Sequence, residues 1–137
     1  MFSYTNGNSL GDGIRKDTIR TLIVDDDRRF RDLVKVFLAK EPSIRVIGEA
    51  VNGKEAILKT RDFKPDVVLM DVRMPVMNGL DATRLIKDEM PGVKIIILTV
   101  FDLDAYKERG QANGSGGFVL KKNLHTDLLP AIHQACD

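Results

Sequence analysis

Two short runs constrain this chain more than anything else in it: VVLM at 67–70 and IIIL at 95–98. Both are apolar at every position. A strand with one wet face alternates polar and apolar residues. One that does not alternate is covered on both sides, as in the middle of a parallel sheet. The strands expected from such runs are Thr21–Val24, Ile44–Gly48, Asp66–Met70, Lys94–Leu98 and Phe118–Leu120.

Helical patterns lie between them. Phe30, Leu33, Val34, Phe37 and Leu38 form one apolar stripe, and Pro42 closes that helix. Asn52 is placed to cap a second helix running to about Asp62, ahead of Pro65. Asn78 caps a third, with Asp81 in its first turn, and Pro91-Gly92 stops it. A fourth covers about Leu103 to Ala112, with few large apolar residues and Gly110 inside it, so weak anchorage is expected. A fifth begins near Thr126, with Leu128, Ile132 and Ala135 on one side and Pro130 in or just after its first turn. Strands alternating with helices through short loops imply an α/β fold. The expected form is a flavodoxin-like (βα)5 three-layer sandwich with a parallel five-stranded sheet in order 2-1-3-4-5. Residues 1–17, rich in Gly, Asn, Ser and Asp, are expected to form a flexible arm, leaving 18–137 as the folded domain.

Acidic residues crowd the places where strands stop. Asp25, Asp26 and Asp27 follow the first strand, and Asp71 follows the third. In open parallel sheets, ligands bind beyond the carboxyl ends of the strands, at the switch between strands 1 and 3. The topology therefore brings Asp25, Asp26 and Asp71 into one pocket. Two carboxylates about 5 Å apart repel by roughly 3 kcal/mol at an effective dielectric near 20, so three together protonate or hold a cation. All-oxygen donors without His or Cys suit Mg²⁺, with Mn²⁺ as a substitute. Asp27 has the simpler role of a helix cap. Thr99 ends strand 4 and Lys121 ends strand 5, adding a hydroxyl and an ammonium to the same edge. Together these residues suit phosphoryl chemistry: a carboxylate to attack, a metal and a lysine to neutralise charge, and a hydroxyl to bind an oxygen. Singly, each has a plainer explanation as a helix-start acid or a solvated surface group.

The segments LIVDDD at 22–27, MDVRMPVMNG at 70–79, ILT at 97–99 and GFVLKK at 117–122 resemble the receiver domains of two-component response regulators. The resemblance covers about residues 18–136. It implies that Asp71 accepts a phosphoryl group from a sensor histidine kinase. It also implies that Asp26, Asp71 and the main-chain carbonyl of Arg73 bind Mg²⁺, with Asp25 in support. Thr99 and Lys121 then hold phosphoryl oxygens, and Phe118 is the aromatic that changes rotamer with Thr99. Lys122 stands where many receivers have proline, as in the NarL/LuxR-type subgroup, whose receivers usually precede a DNA-binding domain. Asp137 falls where the fifth helix is expected to end, so DNA is reached only through an output domain outside this chain. The resemblance also allows a homodimer on phosphorylation. Two further readings are a stand-alone receiver acting through protein–protein contacts and a phosphorylation-independent interaction module.

Other function classes fit less well. A net charge of +1 favours neither nucleic acid nor a membrane surface, and no apolar stretch approaches membrane-spanning length. The single cysteine, Cys136, excludes an internal disulfide, and the start MFSYTNGNSL lacks a leader pattern, so a cytoplasmic protein is expected. An acidic first loop opposes a flavin phosphate. A haloacid-dehalogenase-type phosphatase wants an aspartate at position 73, which is Arg73. Gly114-Ser-Gly-Gly117 precedes a strand rather than opening a helix, so it is no dinucleotide fingerprint. The chain is read as a phosphorylated signalling domain rather than a turnover enzyme.

Overall fold

A computed structural model describes residues 18–137; the arm expected at 1–17 lies outside the described residues. The elements alternate strictly. They are β1 (Ile19–Val24), α1 (Arg28–Leu38), β2 (Ile44–Ala50), α2 (Gly53–Phe63), β3 (Val67–Met70), α3 (Gly79–Glu89), β4 (Lys94–Thr99), α4 (Asp104–Ala112), β5 (Gly117–Leu120) and α5 (Leu124–Cys136). All strand pairs are parallel and the order is β2-β1-β3-β4-β5, as expected from the apolar runs.

The unbroken apolar runs are explained by two cores. Leu22, Val24, Val68, Met70, Ile95 and Ile97 face one side and meet Ala56, Leu80 and Ile86 of α2 and α3. Ile23, Val67, Leu69, Ile96 and Leu98 face the other and meet Val34, Leu38, Leu128 and Ile132 of α1 and α5. Successive strand residues point to opposite faces, so a strand covered on both sides favours apolar residues at consecutive positions. Each such fully buried side chain contributes roughly 1.5–3 kcal/mol.

The caps hold as the sequence suggests. Asp27 accepts the Arg29 N–H, Asn52 that of Glu55 and Asn78 that of Asp81. Two expectations need correction. Leu33, assigned to the buried stripe of α1, is 49% exposed, because the stripe narrows to Val34 and Leu38 with Phe30 and Phe37 half-buried beside them. The fifth helix begins at Leu124, not Thr126, because β5 runs through a 3₁₀ turn (Lys121–Asn123) straight into it. Pro130 therefore lies inside α5 rather than at its start. It is tolerated because Pro130 and Thr126, whose carbonyl loses its helical donor, both face solvent. α4 is the weakly anchored helix expected, with no side-chain cap and Gly110 as its buried residue.

Candidate phosphoryl and metal site

The carboxyl edge of the sheet gathers the acids. Donor oxygens of Asp25, Asp26 and Asp71 lie within 4.8 Å of one another, although the three come from two separate strand ends. Asp25 and Asp71 are buried and Asp26 is exposed. Register explains the convergence: Val24 pairs with Met70, so the next residues on β1 and β3 emerge side by side, and the Asp71 N–H donates to the Val24 carbonyl at 3.0 Å.

Lys121 closes the cluster from β5. Its ammonium is 2.6 Å from Asp25 Oδ2 and 3.3 Å from Asp71 Oδ2. It also lies 4.2 Å from the ring centroid of Phe30, a cation–π contact that the sequence pattern, which marks Phe30 only as core, did not reveal. Burial alone would lower the Lys121 pKa, but its hydrogen bond to Asp25 and the charges of both acids more than offset this and raise it. Asp71 is pushed the other way. Burial and the Asp25 carboxylate raise its pKa to about 6, against the pull of Lys121 and the Val72 N–H, which donates to Asp71 Oδ1 at 2.8 Å. A partly buried cluster with three acids and one lysine is short of positive charge, and an oxygen-only donor set of this size fits a hard divalent cation.

Thr99 ends β4 fully buried, and its hydroxyl accepts the Phe101 N–H at 3.3 Å. Phe118 is half-buried on β5 and packs against the α2–α3 core, with the Lys107 ammonium 5.8 Å from its ring. The Arg73 guanidinium is engaged by two aromatic residues. It stacks on Phe101 at 3.7 Å from the centroid and donates from Nε to the Tyr106 hydroxyl at 2.7 Å.

Two glycines shape the pocket wall. A Cβ on Gly79 would collide with the Asp71 carbonyl oxygen, and one on Gly53 would lie 2.7 Å from that of Met77. The Gly79 N–H donates to the Val72 carbonyl at 2.8 Å, so α3 begins in direct contact with the loop that carries Asp71. At the opposite edge of the sheet, His133 and Cys136 line a cavity of about 430 Å³ with Asp66 and Lys94. Burial and the Asp66 carboxylate push the Cys136 thiol up, the wrong direction for a nucleophile.

Comparison with known proteins agrees with this geometry. The family model described as "Response regulator receiver domain" matches residues 21–133. The transcriptional regulatory protein DegU of Brevibacillus brevis is 32% identical over 123 residues, covering 90% of this chain and 52% of that protein. The response regulator protein VraR of Staphylococcus aureus is 37% identical over 117 residues, covering 85% of this chain and 56% of that protein. This chain thus spans about half the length of the curated relatives it matches. The response regulator domain of Thermotoga maritima CheB superposes with a TM-score of 0.82 at 31% identity, covering 87% of this chain and 96% of that one. A LuxR-family two-component response regulator from Aurantimonas sp. SI85-9A1 gives a TM-score of 0.81 at 30% identity, covering 85% and 83% respectively. Among the described residues, no helix is long and apolar enough to cross a membrane.

Proposed function

Because this chain belongs to the response regulator receiver domain family, we propose that Asp71 takes a phosphoryl group from a phosphohistidine of a sensor histidine kinase and that the fold passes the change to an output. A carboxylate oxygen of Asp71 attacks phosphorus. The P–N bond breaks with its electron pair leaving on the imidazole, and an acyl phosphate forms. Asp26 and Asp71, with the main-chain carbonyl of Arg73, hold Mg²⁺, and Asp25 supports it. When bound, that ion offsets negative charge on the phosphoryl oxygens. Lys121, already between Asp25 and Asp71, pairs with a phosphoryl oxygen once the carboxylate is phosphorylated. The Thr99 hydroxyl turns from the Phe101 N–H to another oxygen, and Phe118 moves inward in response. Binding energy at the pocket thereby biases an existing two-state equilibrium.

The output is transcription, exerted through a DNA-binding domain outside this chain, and phosphorylation promotes a homodimer. The domain works in the cytoplasm and turns over no external substrate. The observation that carries this reading is the convergence of Asp25, Asp26, Asp71 and Lys121 from the ends of three strands.

Acetyl phosphate with MgCl₂ tests it. Intact mass rises by about 80 Da, one phosphoryl group, in the wild type. Asp71→Asn does not gain it. A wild-type chain left unmodified by a donor that labels another receiver in the same tube rejects the reading.

A further inference from the structure

Arg31 is a largely buried cation to which neither the sequence pattern nor the proposed chemistry gives a role. It is the fourth residue of α1, and only 12% of its side chain is exposed. Its guanidinium serves two partners. Nη1 donates to the main-chain carbonyl of Asp25 at 2.7 Å, and Nε donates to Glu49 Oε1 at 2.8 Å. Helical side chains slope back toward the helix N-terminus, which is how a residue of α1 reaches a carbonyl in the loop before it. Glu49 belongs to β2 and pairs in register with Ile23 of β1.

Asp25 is held at each of its polar groups. Its N–H donates to the Ala50 carbonyl at 3.0 Å, and its Oδ1 accepts the Asp27 N–H at 2.8 Å. Its Oδ2 meets Lys121, and its carbonyl meets Arg31. The carbonyl matters most for the next residue. The carbonyl of Asp25 and the N–H of Asp26 share one rigid peptide plane, so fixing the first sets the direction in which Asp26 leaves the strand. Asp26 itself is exposed, without burial to hold it.

We propose that Arg31 is a positioning residue for the acid pocket: by gripping the Asp25 carbonyl against Glu49, it orients the Asp25–Asp26 peptide so that the Asp26 carboxylate faces that of Asp71. This inference rests on the metal-binding reading above for its Mg²⁺ arm only. A simple ion-pair anchor between α1 and β2 makes the opposite forecast. Arg31 is a cation beside a cation site, and removing a bystander charge lowers repulsion and tightens Mg²⁺ binding. Lys35 supplies the charge-matched control: it also pairs with Glu49, at 2.9 Å, one turn further along α1.

The experiment is calorimetric titration of MgCl₂ into the full chain as wild type, Arg31→Met, Arg31→Lys and Lys35→Met, with amide exchange at Asp27 measured by NMR in metal-free buffer. Arg31→Met weakens Mg²⁺ binding by about tenfold, the usual scale for losing a group that orients a ligand. Arg31→Lys, which keeps the charge but loses the planar fork, falls between. Lys35→Met binds as tightly as wild type or more so. The Asp27 amide, which reports the Asp25 carboxylate, exchanges faster in Arg31→Met and not in Lys35→Met. Affinity and Asp27 protection in Arg31→Met equal to those of Lys35→Met overturn the proposal. If Arg31→Met does not fold, wild-type affinity and protection in Arg31→Lys overturn it instead. A wild type that binds no Mg²⁺ sinks the metal reading itself, and the Asp27 exchange comparison alone then decides the role of Arg31.

Discussion

At Asp71, burial and the neighbouring Asp25 carboxylate lift the carboxyl to about 6 from an ordinary 3.8, and Lys121 only partly opposes them. A raised folded value means that the folded chain holds this proton more tightly than the unfolded one. The resulting stability is fully present below 3.8 and is lost as pH climbs through about 6. Near neutral pH and without divalent metal, the ionised carboxylate thus costs up to about 3 kcal/mol. Asp71→Asn is therefore more stable than wild type at about pH 7 in chelator, and the gap shrinks as pH falls toward about 4. Urea unfolding at the two pH values measures it, and a gap that does not change with pH contradicts the assignment. Gly79 offers a second test at this scale. Its missing Cβ leaves room for the Asp71 carbonyl, a backbone atom that cannot rotate away. Gly79→Ala should cost about 3 kcal/mol in chemical denaturation. Gly92→Ala, with nothing within 4 Å of the added carbon, is the matched control and should stay within about 0.5 kcal/mol. The acids, Thr99 and Lys121 were legible in the sequence because polar residues ending apolar strands stand out. Gly79 and Arg31 were not, because their partners are main-chain carbonyls at Asp71 and Asp25, and a carbonyl has no letter in a sequence.

Among the helices, α4 depends on ties made outside its own buried face. Gly110 is its buried residue, its N-terminus has no side-chain cap, and Arg73 reaches across from the Asp71 loop to the Tyr106 hydroxyl and the Phe101 ring. A helix with so little apolar burial draws a large share of its local stability from that clasp. Arg73→Ala should raise amide exchange across Asp104–Ala112 severalfold while leaving α1 unchanged, since α1 is fixed by Val34 and Leu38 in the core. Hydrogen exchange by mass spectrometry resolves the two helices. Equal exchange in α4 with and without the Arg73 side chain shows that the helix is held by something else. Element existence was readable wherever one force dominated: VVLM and IIIL admit only a strand covered on both faces. Boundaries were readable where a cap residue marks them, as at Asp27, Asn52 and Asn78. The start of α5 has no such mark. Asn123 makes no side-chain cap there, and the 3₁₀ turn at Lys121–Asn123 carries the chain into the helix without punctuation.

Across the whole molecule, the pocket joins the ends of β1, β3 and β5, and its charges act on the stability of all three at once. Donor oxygens of three carboxylates lie within 4.8 Å of one another, and one ammonium bridges Asp25 and Asp71. The metal-free fold therefore carries uncompensated repulsion, and the unfolded chain, with these residues dispersed, does not. A divalent cation that binds only the folded arrangement stabilises it by mass action, about 2.7 kcal/mol at a hundredfold excess over its dissociation constant. Millimolar MgCl₂ should accordingly raise the melting temperature by several degrees near neutral pH, and chelator should reverse the shift. The rise should shrink as pH falls through about 6, where Asp71 takes a proton and competes with the metal. Asp26→Asn should lose most of it, because that exposed carboxylate is one of the three grouped acids and adds little to the core. NaCl at matched ionic strength separates specific binding from screening. An equal rise with NaCl, or an undiminished rise in Asp26→Asn, means that the three acids do not act together on one ion.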